Sequence, residues 1–147
     1  MGLRVLLVED NPDHALLTRR ALEREESVSC VAICADGVAA LDLLSGSERA
    51  PDLILVDVRL PGISGLDFLD AVRSMPSMRG VPVVLLSSSA SESQVNEAIK
   101  RGASAFITKP LRPGRLIKGL FGRAPKRNGS GRSRPKHGDE FLPERRT

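Results

Sequence analysis

Aromatic residues are almost absent from this sequence. Its 147 residues include four Phe but neither Trp nor Tyr. A chain with so few aromatic rings needs an aliphatic core, formed by Val, Leu, Ile and Ala. The length suits one domain and is too short for two ordinary ones.

Cysteine is equally scarce, with only Cys30 and Cys34 in the chain. A strand would place these two side chains on the same face, too far apart for a disulfide. No His, Asp or Glu stands around them at metal-ligand spacing, which argues against a redox or metal pair. We therefore predict two small buried apolar side chains and a reducing, cytoplasmic compartment.

Long apolar runs are missing as well. The first apolar segment, residues 1–8, is only one strand long before Glu9 and Asp10, so we predict no signal peptide. No later run approaches the length of a membrane span. We expect a soluble protein with no membrane contact.

Positive charge is concentrated at one end of the chain. The formal net charge is +4, yet residues 123–147 hold eight of the 22 basic and three of the 18 acidic residues. Gly, Ser, Pro and Arg dominate that segment, so we predict a domain over 1–122 and a basic disordered tail over 123–147. The tail lacks interleaved aromatic residues and a recognition helix, which argues against specific nucleic-acid binding.

Strand and helix signals alternate through the first 122 residues. Helices are predicted to start at Pro12 and Gly37, after the caps Ser64 and Ser91, and at Pro113. The apolar runs read as strands over 3–8, 28–34, 53–56, 83–86 and 105–108. Because these runs are continuous instead of alternating, we predict an α/β fold with a five-stranded parallel sheet covered on both faces.

Chemically useful residues follow four of these strands. They are Glu9 and Asp10 after the first, Asp57 after the third, Ser87 after the fourth and Lys109 after the fifth. The carboxyl ends of parallel strands lie at one edge of a sheet, where ligands bind. Clustered carboxylates repel each other, and a hard cation such as Mg²⁺ would relieve the repulsion. Asp10 and Asp57 are the candidate direct ligands and Glu9 a ligand through water.

The same group of residues suits phosphoryl transfer. A carboxylate can act as nucleophile, while a metal ion and an ammonium neutralise the charge on the transferred group. Lys109 and the Ser87 hydroxyl are the candidates for contacts with that group.

Five segments together carry a resemblance to a known family. They are LLVEDN at 6–11, DLILVD at 52–57, LPGISG at 60–65, PVVLLS at 82–87 and GASAFITKP at 102–110. In this order and spacing they resemble the receiver domain of two-component response regulators, over roughly residues 3–121. The resemblance implies the flavodoxin-like, doubly wound (βα)₅ fold with strand order 2-1-3-4-5.

The resemblance also implies roles for single residues. Asp57 would be the phosphoacceptor, and Glu9, Asp10, Asp57 and the backbone carbonyl of Arg59 would organise Mg²⁺. Lys109 would pair with the phosphoryl group. Ser87 would swing toward that group on activation, and Phe106 would move inward with it. The Lys109-Pro110 peptide bond would be cis. His14 and His137 are expected to be solvent-exposed and without a role.

The implied partners are a sensor histidine kinase and a downstream protein that the sequence does not identify. A narrower similarity, carried by Asn11-Pro12-Asp13, is to single-domain regulators paired with kinases such as bacterial phytochromes. We expect no output domain after residue 122, so signalling would proceed by phosphorylation-dependent protein–protein contact. A homodimer is left open.

Two alternatives remain beside that interpretation. One is a receiver-fold docking or dimerisation module that works without phosphorylation; the complete acceptor set argues against it. The other is an enzyme of the haloacid-dehalogenase type, which needs a second acid two residues after its Asp nucleophile. Arg59 occupies that position here. We therefore predict a signalling phosphoacceptor and not an enzyme, with at most self-catalysed phosphorylation and dephosphorylation.

Overall fold

Apolar runs form the strands, and amphipathic segments between them form the helices. The computed structural model describes residues 2–122 and the backbone of residues 140–141. The strands are β1 Leu3–Val8, β2 Val28–Cys34, β3 Leu53–Asp57, β4 Val83–Ser87, β5 Ala105–Thr108 and β6 Glu140–Phe141. The helices are α1 Pro12–Glu23, α2 Gly37–Gly46, α3 Gly65–Arg73, α4 Glu92–Lys100 and α5 Pro113–Phe121, with a 3₁₀ turn at Pro76–Met78.

Side-chain caps explain where several helices begin. Ser64 accepts a hydrogen bond from the backbone N–H of Asp67 at the start of α3. Ser91, a predicted cap, forms a capping box with Gln94 at the start of α4. Each cap satisfies a backbone donor that has no partner inside the helix. Gly102, with φ +109°, takes a left-handed position after α4.

The sheet has the predicted parallel order and one addition. Its strands run β2-β1-β3-β4-β5-β6, and the first five pair in parallel. The two-residue β6 pairs antiparallel with β5, matching Phe106 with Phe141 and Ile107 with Glu140. The sequence pattern predicts no strand there, because this segment belongs to the predicted tail. The prediction of a disordered tail otherwise concerns residues 123–139 and 142–147, outside the described part of the chain.

Aliphatic side chains cover both faces of the sheet. One cluster joins alternate residues of β1, β3 and β4 to α2, α3 and α4, around Phe68 and Val72. The other joins the intervening strand residues to α1 and α5, around Leu22 and Leu116. All five residues of β3 are buried. Because every strand position of β3 is covered, its carboxyl end and Asp57 are held rigidly.

The prediction of buried cysteines was wrong for Cys30. Cys30 is exposed, Cys34 is half-buried, and both thiols are free. The reason is strand order: β2 lies at the edge of the sheet, where several positions stay open to solvent. Burial raises the pKa of the Cys34 thiol, and the charge of Asp36 adds to the rise.

Among the described residues, no helix is both long enough and apolar enough to cross a lipid bilayer.

Candidate functional site

The carboxyl edge of the sheet brings the predicted acids together. Glu9 and Asp10 directly follow β1, and Asp57 ends the neighbouring β3. Their carboxylate oxygens lie within 4.8 Å of one another. Glu9 is 2% exposed and Asp57 8% exposed, while Asp10 is exposed. The cluster is therefore a partly desolvated concentration of negative charge with one side open to solvent.

Lys109 enters this cluster from the end of β5. Its Nζ donates to Asp57 Oδ2 at 2.8 Å and to Glu9 Oε1 at 2.9 Å. Its backbone N–H donates to the Ser87 carbonyl at 2.8 Å, which anchors the residue to the end of β4. The Lys109 side chain is only 15% exposed, so both ion pairs are shielded from water. The predicted convergence of Lys109 with the carboxylates is confirmed.

Burial and hydrogen bonding shift the pKa values in this cluster in opposite directions, and the pKa of Glu9 ends above its ordinary value. Burial raises the pKa of Glu9, and the nearby charge of Asp57 adds to the rise, while hydrogen bonds from Lys109 and Asn11 lower it. Burial lowers the pKa of Lys109, but the hydrogen bonds to Asp57 and Glu9 more than compensate and raise it above its ordinary value. Lys109 is therefore a stable cation, and the three acids still outnumber it.

Backbone donors hold the two buried carboxylates in place. The N–H of Arg59 donates to Asp57 Oδ1 at 3.0 Å, and the N–H of Asn11 donates to Glu9 Oε2 at 3.2 Å. These bonds leave one oxygen of each carboxylate to Lys109. The Arg59 side chain is exposed. The metal-binding role of the Arg59 carbonyl stays a prediction.

The two proposed switch residues, Ser87 and Phe106, differ in their contacts and burial. The Ser87 hydroxyl donates to the carbonyl of Ser89 and accepts from the Ser89 N–H at 3.2 Å, so it is engaged within its own loop. Phe106 is 3% exposed and packs in the cluster that contains Val95 and Ala98. The ring is thus already buried while the Ser87 hydroxyl is bonded to its own loop. The switch roles of both residues stay predictions.

The expectation that His14 is solvent-exposed was wrong, and the expectation for His137 lies outside the described residues. His14 is half-buried in the first turn of α1, and its Nδ1 lies 3.0 Å from Lys109 Nζ. The predicted site residues directly follow strands, whereas His14 lies five residues beyond Glu9. One signal could have found it, since α1 starts at Pro12 and its first turn must lie beside the end of β1.

Gly65 sets the distance between α3 and the phosphoacceptor candidate. The Gly65 N–H donates to the Val58 carbonyl at 2.9 Å. A Cβ at this position would lie 2.5 Å from the Asp57 carbonyl oxygen and 2.8 Å from the Val58 Cα. Only glycine lets the start of α3 pack this closely against the end of β3.

Gly65→Ala is expected to destabilise the domain by about 2 kcal/mol, since overpacking costs on this order. It is also expected to displace the Asp57 backbone. Urea unfolding followed by far-ultraviolet circular dichroism measures the first effect. Gly46→Ala is the matched control, because a Cβ at Gly46 meets nothing within 4 Å. Equal stability of the two variants would contradict the close approach at Gly65.

The donor set fits a hard divalent cation. Three carboxylates within 4.8 Å of one another face a single ammonium, so the described cluster keeps a negative charge that another cation would neutralise. All the donors are oxygen, which suits Mg²⁺ or Mn²⁺ and argues against a thiolate-preferring metal. Asp10 is exposed and has no hydrogen-bonding side-chain partner among the described residues, so its carboxylate is accessible to an ion.

Known proteins share this fold and sequence pattern. Residues 5–121 match the model of the family described as the response regulator receiver domain. The probable methanogenesis regulatory protein FilR2 of Methanothrix harundinacea is 36% identical over 111 residues, which are 73% of this chain and 72% of FilR2. Some other curated relatives are much longer: the match covers 29% of protein-glutamate methylesterase/protein-glutamine glutaminase 3 of Burkholderia thailandensis, at 33% identity over 74% of this chain.

Solved structures agree with these matches. The phosphorylated cyanobacterial phytochrome response regulator RcpA is 29% identical with a TM-score of 0.69, and the match covers 83% of this chain and 91% of RcpA. The Mn²⁺-bound form of response regulator Rcp1 is 28% identical with a TM-score of 0.67, covering 82% of this chain and 91% of Rcp1. Both are response regulators, in agreement with the family match over residues 5–121.

Proposed function

The chain belongs to the family of response regulator receiver domains, and on that premise we propose that Asp57 accepts a phosphoryl group from a sensor histidine kinase. One observation carries the proposal. Asp57 is a buried carboxylate with one oxygen bonded to Lys109 and another to a backbone N–H, beside two further acids. A simple ion pair does not require two further acids beside it, and a residue with only a packing role does not require a charged carboxylate.

The chemistry is a displacement at phosphorus. An Asp57 carboxylate oxygen attacks the phosphorus of the donor, the bond from phosphorus to the donor breaks, and the donor leaves with its electron pair. The product is an acyl phosphate on Asp57. Lys109 is placed to neutralise charge on the transferred oxygens, since its Nζ lies 2.8 Å from Asp57 Oδ2. The Ser87 hydroxyl would leave Ser89 and bond to the phosphoryl group.

Glu9, Asp10, Asp57 and the Arg59 carbonyl would hold Mg²⁺. When bound, the ion neutralises negative charge on the phosphoryl oxygens and on the acids. The proposal is supported by the described acidic cluster and by the Mn²⁺-bound relative Rcp1. Glu9 and Asp57 are buried, and each accepts a hydrogen bond from a backbone N–H group. These two proposed ligands are therefore ordered before the metal ion binds.

The output would be a change of protein–protein contacts. Phosphorylation would bias a two-state equilibrium and change the surface presented by α4 and α5, through Ser87 and Phe106. The kinase is proposed to be of phytochrome type, supported by the likeness to RcpA. We propose that the regulator works in the cytoplasm, without membrane contact or specific nucleic-acid binding.

Metal removal gives a direct test of this function. Incubation of the chain with Mg²⁺ and acetyl phosphate is expected to add the mass of one phosphoryl group, which peptide mapping assigns to Asp57. EDTA is expected to lower the uptake rate at least about a hundredfold, because a metal supplies several kcal/mol of transition-state stabilisation. Mass spectrometry of the intact chain reports both results. Phosphoryl uptake at the same rate with EDTA, or uptake on another residue, would contradict the assignment of Asp57 as a Mg²⁺-dependent phosphoacceptor.

A phosphorylation-independent docking module is the second candidate, and one observation favours it. Phe106 is already buried, at 3% exposure, so its burial needs no phosphoryl group. Beryllofluoride distinguishes the two functions, because it mimics a phosphoryl group on an aspartate. A Mg²⁺-dependent beryllofluoride complex that shifts the amide resonances of α4 and α5 would favour the phosphorylated switch. Unchanged resonances would favour the docking module.

A further inference from the structure

The Lys109 ammonium has three N–H groups and, within the described part of the chain, three partners. Two are the carboxylates of Glu9 and Asp57, at 2.9 and 2.8 Å. The third is the Nδ1 atom of His14, at 3.0 Å. The phosphoacceptor function proposed above uses the first two partners and leaves the third without a role.

Local structure holds His14 firmly in this position. Asn11 caps α1, and its side-chain oxygen accepts hydrogen bonds from the backbone N–H groups of Asp13 at 2.9 Å and His14 at 3.0 Å. The Asn11 N–H in turn donates to Glu9. The same short segment therefore anchors a carboxylate and an imidazole around one ammonium.

Among the described residues near Lys109, no further side chain bonds to its Nζ and could take over from His14. A cleft of about 330 Å³ lies beside it, lined by His14, Leu17, Thr18, Ser88, Lys109, Pro110 and Leu111. Leu17, Pro110 and Leu111 have no side-chain acceptor, and Nζ bonds to neither hydroxyl among the described contacts. Without His14, one ammonium N–H would face this cleft and the other two would be drawn toward the acids.

The protonation states follow from the donors. An ammonium can only donate, so His14 Nδ1 accepts and the imidazole carries its proton on Nε2. A neutral acceptor adds no charge to the cluster. It restrains the direction of the cation without competing with the phosphoryl group for it.

We propose that His14 is a positioning residue for phosphoryl transfer, whose Nδ1 holds the Lys109 ammonium between Glu9 and Asp57. The inference rests on the function proposed above. Transfer rates are sensitive to misplacements of about 1 Å, which can cost about a hundredfold. Loss of one of the three bonds leaves the cation free to shift, and a loss of about tenfold is expected.

Three variants distinguish the loss of the His14 hydrogen-bond acceptor from a general effect on the structure. His14→Leu removes the acceptor and is expected to lower the rate of phosphoryl uptake from acetyl phosphate by about tenfold. His14→Asn can place its amide oxygen where Nδ1 lies, and is expected to stay within about threefold of wild type. Thr18→Val is the matched control, since this hydroxyl lines the same cleft without bonding to Lys109, and its uptake is expected to equal that of wild type.

A spectroscopic measurement tests the contact independently of turnover. In ¹⁵N-labelled protein the Lys109 ammonium is expected to give a shifted, slowly exchanging resonance that His14→Leu abolishes and His14→Asn keeps. An unchanged uptake rate in His14→Leu, or an equal loss in His14→Asn, would overturn the inference. If wild type takes up no phosphoryl group on Asp57, the proposed function fails, and the resonance alone decides whether His14 positions Lys109.

Discussion

Asp57→Asn is expected to gain no phosphoryl mass with Mg²⁺ and acetyl phosphate. The amide has no carboxylate oxygen to attack phosphorus, so the loss should be complete instead of partial. The fold should persist, because the Asn oxygen can still accept from the Arg59 N–H and Lys109 keeps Glu9 and His14 as partners. Intact mass measures uptake, and urea unfolding measures the free energy of unfolding.

A matched control makes the result specific. Asp42 lies on α2, is exposed, and undergoes the same Asp-to-Asn change without touching the site. Asp42→Asn should be phosphorylated like wild type. A phosphorylated Asp57→Asn protein under the same conditions would remove Asp57 as the acceptor, and with it the proposed function.

Arg73→Met is expected to cause the largest loss of stability, about 3 kcal/mol, because hydrogen bonds from a charged donor contribute about 1.5–3 kcal/mol each and are not additive. The guanidinium donates to the carbonyls of Val81 at 2.8 Å and of Met78 and Gly102 at 3.1 Å. It thereby joins the end of α3 to the loops before β4 and β5. Burial lowers the pKa of Arg73, which reflects how far the group is removed from water.

Methionine keeps the apolar stem, so the loss measures the guanidinium contacts and not the packing. In urea unfolding the midpoint should fall while the slope stays constant. Arg101→Met is the control. Arg101 makes ion pairs with Asp70 at 3.2 Å and Glu97 at 2.9 Å, but its partners are exposed, so about 1 kcal/mol or less is expected. Equal losses for the two arginines would show that the half-buried hydrogen bonds from Arg73 to the carbonyls contribute little to stability.

Much of the fold was predictable because its signals are local. The apolar runs marked the strands to within one residue, as at β3, which extends to Asp57. The caps Ser64 and Ser91 marked the starts of α3 and α4. Glu9, Asp57 and Lys109 were expected together, since parallel strands end at one edge. The strand order itself came from the family resemblance.

The missed features depend on contacts between distant segments. Cys30 is exposed because β2 is an edge strand, and no property of the run around it shows this. His14 meets Lys109 across 95 residues of chain, so only the packing of α1 against the end of β5 brings them together. The carbonyls bound by Arg73 have no sequence signature at all, since every residue carries one.

The sequence by itself determined the strands, the helix starts and the identity of the acids and the lysine, because hydrophobic periodicity and caps act over a few residues. Only the tertiary structure decided how these groups are used. It buried Glu9 and Asp57 and gave Lys109 its third partner, His14. The physical reason is that burial and hydrogen-bond partners depend on which elements pack together, and that is a property of the whole domain.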